Sequence, residues 1–239
     1  PGLGAQLGVD GFLYRSCNIG NTIFQRGGRS GRIEKLDWES NLVWSYDILD
    51  TLQCSHHDFH LMPNGNILLI VWDRILKTEA ETWGKNPQDM GTNDLWGERI
   101  IEIEPVGINQ ANIVWEWSVW DHLIQDFDST KPNFGSISAN PHRVNINFFP
   151  GGNLSNDWLH FNSITYNEQL NQILISVHTL SELWIIDHST TTEEAATSAG
   201  GLSGMGGDLL FRWGNPEAYG LGTANNQRLY SQHHASWIP

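Results

Sequence analysis

The chain has 239 residues, 39% hydrophobic and 17% charged, which suits a folded globular protein and excludes a disordered one. Thirteen Lys and Arg against 27 Asp and Glu leave a net charge of −14. There is no basic stripe, which argues against nucleic-acid partners and anionic membrane surfaces, and no stretch of transmembrane length.

Strand signals dominate, and long amphipathic helical periodicity is absent. An opening unit is expected from residues 12–16, 21–25, 31–37 and 42–46, four short strands, the count of one propeller blade. Gly20, Gly27 and Gly28 read as turn glycines. A second unit starts at His57 and turns at Pro63-Asn64-Gly65-Asn66, where Asn-Gly accepts the positive φ of a tight hairpin. It continues through 67–72, 99–104 and 112–117. A third unit is expected over 160–165, 172–177, 182–187 and 208–213, and a fourth is only begun near His233. Polar insertions at 77–98, 118–156 and 188–207 are long enough to be functional or disordered. Short helices are expected within 119–127 and after a capping box at 189–196. Twelve Trp, many in strand patterns such as Val114-Trp115-Glu116-Trp117, fit large rings between stacked sheets.

The chain begins at Pro1 without a signal peptide and stops at Pro239 inside a repeat, so a fragment truncated at both ends is expected. The expectation is a single all-β domain over 1–239, an incomplete β-propeller of about three and a half blades. Its open edges would favour aggregation. Cys17 and Cys54 read either as two buried thiols or as one disulfide between adjacent units in an oxidising compartment.

Each later unit opens on histidine: His56-His57-Asp58-Phe59-His60, then Asp157-Trp158-Leu159-His160-Phe161-Asn162-Ser163, then Gln232-His233-His234-Ala235-Ser236. The inner strand of every propeller blade lines the central channel, so His57, His160 and His233 are expected at one mouth. A single histidine at a strand end is more often bonded to a nearby carbonyl; three at matching positions favour a site. Neutral imidazole serves as nucleophile, acid or base near neutral pH. A zinc or copper site is the rival, though HExxH and closely spaced ligand motifs are missing. His56, His178 and His234 flank the cluster and fit either scheme. Asp58 has two readings, orienting a ring or bonding turn backbone. No Gly-x-Ser-x-Gly elbow, P-loop or dinucleotide fingerprint is present.

These motifs, Asp157-Trp158-Leu159-His160-Phe161-Asn162-Ser163 above all, resemble the arylsulfotransferase family, the PAPS-independent aryl-sulfate sulfotransferases. The resemblance extends through Trp115-Glu116-Trp117, Trp120-Asp121-His122-Leu123-Ile124-Gln125-Asp126, Ile186-Asp187-His188-Ser189-Thr190-Thr191 and the run from Gly206 to Pro216. It implies a six-bladed propeller, exported to the periplasm or beyond. It also implies sulfuryl transfer from a phenolic sulfate to a phenol through a sulfohistidine, with no cofactor and no metal. By motif, His233 matches the nucleophile and His57 and His160 the histidines that assist it; His56, Asn162 and His178 are candidate substrate-binding side chains. The family arginine expected in a Ser-Arg-His sequence is replaced here, where the run is Ser176-Val177-His178. The alternatives are a non-catalytic propeller that binds a ligand or protein, and a metal-dependent hydrolase on the same scaffold.

Overall fold

The computed structural model describes residues 4–90, 93–150 and 156–238. Pro1 and Pro239, on which the reading of the chain ends rests, lie outside them, as does part of the 118–156 insertion. Three four-stranded antiparallel sheets follow one another along the chain, each a simple meander, and none is closed. The first holds β1 (Ala5–Leu7), β2 (Leu13–Asn18), β3 (Gly31–Leu36) and β4 (Leu42–Asp47). The second holds β5 (Gln53–Leu61), β6 (Ile67–Ile75), β7 (Leu95–Val106) and β8 (Gln110–Ser118). A two-stranded parallel pair, β9 (Leu123–Ile124) with β10 (Val144–Asn145), lies between second and third. The third holds β11 (Phe161–Asn167), β12 (Gln172–Val177), β13 (Glu182–Asp187) and β14 (Phe211–Trp213).

The apolar run in β6 explains the stacking. Ile67, Leu69 and Val71 pack with Tyr14, Ile33 and Trp44 of the first sheet. Leu68 and Ile70 pack with Ile164, Ile175 and Trp184 of the third. A strand buried on both faces needs no polar alternation, so its sequence reads as a continuous hydrophobic stretch. Each such side chain contributes about 1.5–3 kcal/mol by leaving water.

The expected strand at 21–25 does not form, and β1 takes its place as the outer partner of β2. The Asn21 side chain captures the backbone N–H of Phe24 at 2.8 Å and that of Ile23, an Asx turn that breaks extended pairing. Phe24 then plugs between Trp72 and Trp96, with ring centroids 6.1 and 5.0 Å away. The second sheet starts earlier than expected, because β5 begins at Gln53 and carries His57 within it. No named strand forms after His233 among the described residues. The expected helix within 119–127 is a 3-10 turn, Val119–His122, capped by the Ser118 hydroxyl. The capping box exists: Thr191 and Glu194 close it over α2 (Thr192–Ala195). The 77–98 insertion contains α1 (Lys77–Thr82).

The run from Gly206 to Pro216 is a set of staples. Trp117 Nε1 donates to the Gly207 carbonyl at 2.7 Å, His122 Nδ1 meets Asp208 Oδ1 at 2.8 Å, and Asn215 Nδ2 donates to the Leu180 carbonyl at 3.0 Å. Arg212 pairs with Glu182 in the interior. Cys17 and Cys54 lie on adjacent sheets, but both are free thiols. Cys54 packs with Phe24, Trp72 and Trp96, and burial pushes its thiol up to about 11. Cys17, half-buried, faces Arg15 and Glu34 instead, so of the two readings the disulfide is not made.

Candidate active site

β5 and β11, the first strands of the second and third sheets, run side by side, and the site lies where they meet. Each is interrupted by a bulge: the register shifts between Ser55 and Phe59 on β5, and between Phe161 and Ser163 on β11. A bulge re-aims a side chain that regular pleating would have pointed into the sheet stack. The histidines here are in the left-handed region, His57 at φ 50° and His160 at φ 54°. Histidine tolerates that conformation better than branched residues do. The same twist recurs at His234, φ 56°, so the backbone repeat falls one residue after His233.

The rings form a chain around one cleft. His57 and His160 centroids are 4.4 Å apart, His160 and His178 5.0 Å, and His178 and His233 5.0 Å. The cleft, of about 440 Å³, is lined by Gly27, Gly28, His57, Asp58, His160, Asn162, His233 and His234. His233 and His234 are exposed on the extended tail. That tail is pinned to the third sheet: the Gln232 side chain donates to the Glu182 carbonyl at 2.9 Å, Asn162 Nδ2 donates to the Gln232 carbonyl at 2.7 Å, and the Ala235 N–H donates to Ser163 Oγ at 2.9 Å. Asn162 Oδ1 is buried with no hydrogen-bond partner among the described residues.

His160 is oriented by Asp157, whose carboxylate Oδ2 contacts Nδ1 while Oδ1 accepts from Trp72 Nε1 at 3.1 Å. His57 has a different support. Its Nδ1 lies 2.8 Å from His56 Nδ1, and His56 Nε2 lies 2.9 Å from Glu98 Oε2. His56 is 1% exposed and stacks flat on Trp72, centroids 3.8 Å apart. His56 thus lies behind His57 and is not among the cleft-lining residues. Glu98 is 1% exposed, and its Oε1 accepts the Phe161 N–H at 2.9 Å. Burial, then repulsion from Asp157, holds the Glu98 carboxyl well above its usual range. Burial, then the neighbouring His57 and His160, pushes His56 well down. His57 is pushed down to about 3 by burial and then by His160, His233 and His178. His178 is lowered by burial and by His160 and His233.

A loop of the first sheet closes over His57. The His57 N–H donates to the Gly28 carbonyl at 2.6 Å, and a Cβ at Gly28 would stand 2.0 Å from the His57 ring. Gly28, at φ 87°, is thus required twice, for its backbone and for its missing side chain. Asp58 accepts the Ile164 N–H at 3.2 Å across the sheets, the backbone-bonding reading, and burial raises its carboxyl. Glu98 and Asp157 were not singled out from sequence as site residues. The only signal was the Asp157-to-His160 spacing inside the motif; Glu98 gave none.

Val177 is fully buried in the larger core, so no side chain from that position reaches the cleft. Among the described residues no arginine or lysine lines the cleft; Arg26 and Arg29 flank its two glycines in sequence. Among the described residues no group of three or more His, Cys, Asp or Glu is disposed to hold a metal ion.

The geometry defines an all-β protein with a histidine-walled cleft between consecutive antiparallel sheets. The arylsulfotransferase (ASST) family model matches residues 21–198, and the chain belongs to that family. No curated protein sequence matches the chain. Among solved structures, the hydrazine synthase of Kuenenia stuttgartiensis is similar at 14% identity with a TM-score of 0.39. That match covers 87% of this chain and 61% of the other, so the chain spans less than two thirds of that structure's length. No helix among the described residues is long and apolar enough to cross a membrane.

Proposed function

We propose that the protein transfers a sulfuryl group from a phenolic sulfate ester to a phenol through a sulfohistidine at His233. The observation that carries this reading is the gathering of His57, His160, His178 and His233 around one open cleft in a chain of the arylsulfotransferase family. Like phosphoryl transfer, the reaction spreads charge over equatorial oxygens and the leaving oxygen, so positioned donors supply most of the catalysis. A nitrogen lone pair of His233 attacks sulfur as the aryl O–S bond breaks. The phenolate leaves with a proton from His57, and His160, as an imidazolium whose Nδ1–H is held by the Asp157 carboxylate, donates its Nε2–H to sulfuryl oxygens. In the second half an acceptor phenol returns its proton to His57 and attacks sulfur as the N–S bond breaks. A phenol of pKa about 10 is a good enough leaving group for a histidine acid.

In this reading the three four-stranded sheets are successive blades of one incomplete propeller over 1–239, six-bladed when whole. The protein is exported, and its partners are small aromatic sulfates and phenols. The burial of Val177, which leaves the cleft without an arginine from that strand, favours a second reading, a propeller that binds anionic ligands without transferring them. Intact-protein mass spectrometry after incubation with an aryl sulfate separates the two. Wild type should gain one sulfuryl mass and His233→Ala none. Turnover by His233→Ala at an unchanged rate would refute the nucleophile assignment; no labelling and no turnover by wild type would make the binding reading the better one.

A further inference from the structure

We propose that Glu98 and His56 form a proton relay behind His57, in which the Glu98 carboxyl stores the acid that replaces the proton His57 gives to the leaving phenolate. The inference rests on the sulfuryl-transfer reading for its direction and on geometry for its existence. The contacts are continuous: Glu98 Oε2 to His56 Nε2 at 2.9 Å, then His56 Nδ1 to His57 Nδ1 at 2.8 Å. The other Glu98 oxygen accepts the Phe161 N–H, and the Trp72 indole also reaches the carboxyl. His56 and Glu98 side chains are fully shielded from water, so a proton leaving either must pass along the chain.

Two Nδ1 atoms facing each other must share one proton, which fixes the bookkeeping. At rest the Glu98 hydroxyl donates to His56 Nε2, His56 Nδ1–H donates to His57 Nδ1, and His57 presents Nε2–H to the cleft. When the phenolate takes the Nε2 proton, His57 Nδ1 receives the proton of His56 Nδ1, and His56 Nε2 receives the proton of Glu98. Both imidazoles are neutral before and after, and the negative charge has moved from the phenolate to Glu98. The acceptor phenol, losing its proton to His57, runs the same sequence backwards and restores the carboxylic acid. The relay thus balances over a full turnover with no external proton.

The surroundings agree. Asp157 and Asp73 face Glu98 and oppose its ionisation at rest, as does its burial. His160, His178 and His233 face His57 and oppose a cationic ring there. Glu98 and His56 are positioning residues, since neither lines the cleft.

The test uses the intact protein and Glu98→Gln, which keeps shape and can still donate to His56 but stores no acid. Infrared difference spectra at neutral pH should show a protonated carboxyl band that Glu98→Gln removes. Transfer from phenyl sulfate should fall about 100-fold, the size of a general-acid contribution. Transfer from para-nitrophenyl sulfate, whose phenolate leaves without a proton, should fall less than about tenfold. His56→Gln should repeat this split. Equal loss with both esters, as a merely structural role would give, overturns the relay; so does the absence of a carboxyl band assignable to Glu98. The infrared arm needs no turnover, so an inactive wild type refutes sulfuryl transfer while the band still decides the relay.

Discussion

His57, within bulged β5, and His160, immediately before bulged β11, share the same left-handed backbone, yet they are held in opposite ways. His160 rests on a carboxylate, the Asp157 contact, as the histidine of a catalytic triad does. His57 rests on a second histidine and a buried carboxyl, with no compensating anion in direct contact. A repeat delivers matching backbones; the residue behind the ring decides its chemistry. The difference assigns the two rings different duties. A ring backed by a carboxylate tolerates developing positive charge and suits the sulfuryl oxygens. A ring kept neutral suits delivery of a proton to a phenolate.

Removing one support is the severest way to break this pairing. Asp157→Asn should lower sulfuryl transfer about 10³-fold, because an amide can hold the imidazole in the wrong tautomer. Single-turnover rates measure it, and a rate equal to wild type would show that Nδ1 of His160 does not govern its role. The neutral ring has its own signature in acid. His57 binds a proton in the unfolded chain near its model value of 6.5 but in the folded protein only near 3. Between those values the unfolded state holds more protons, so stability rises with pH through the window and is complete above it. His57→Gln should flatten that slope by about 1.4 kcal/mol per pH unit within the window, read from denaturant midpoints at successive pH values. An unchanged slope would mean that His57 is not the buried neutral group.

Gly28→Ala sharpens the comparison, because it strikes His57 alone. A methyl 2.0 Å from that ring must displace it, and φ 87° adds backbone strain. We expect a loss of about 2 kcal/mol in stability and a lower transfer rate, with the Asp157–His160 contact in the same cleft undisturbed. The smallest effect is expected on the tail side. Asn162→Ala removes one hydrogen bond to the Gln232 carbonyl and should cost about 1 kcal/mol of tail anchoring. Sulfohistidine formation would slow about tenfold while His57-dependent proton delivery is unaffected, a split visible between labelling and leaving-group dependence.

Much of this was legible in the sequence wherever local pattern and long-range pairing agreed. The third sheet's β12 and β13 run over the stretches read from their apolar runs, and the Asn64-Gly65 hairpin joins β5 to β6. The reading failed where a side chain overrode the pattern. Residues 21–25 look like a strand because of Ile23 and Phe24, but Asn21 turns the backbone and Phe24 spends its ring on Trp72. The three histidines were found because they repeat. Glu98 was not, because its partners His56 and Phe161 are 42 and 63 residues away and one carboxylate at the edge of an insertion carries no period. His56 was seen, but its burial against Trp72 was not.

The reach of Glu98 has a consequence for how the molecule assembles. One side chain on β7 binds His56 within its own sheet and the backbone beside His160 on β11, so the two supports come together only when the second and third sheets have docked. Contacts so distant in sequence form late, because loop closure must precede them. Each sheet is a local meander that can pair its own strands first. The cleft is therefore a checkpoint on completed folding. During refolding, strand signal should return first and catalytic competence only after a separate docking phase, and Glu98→Gln should leave the first phase untouched.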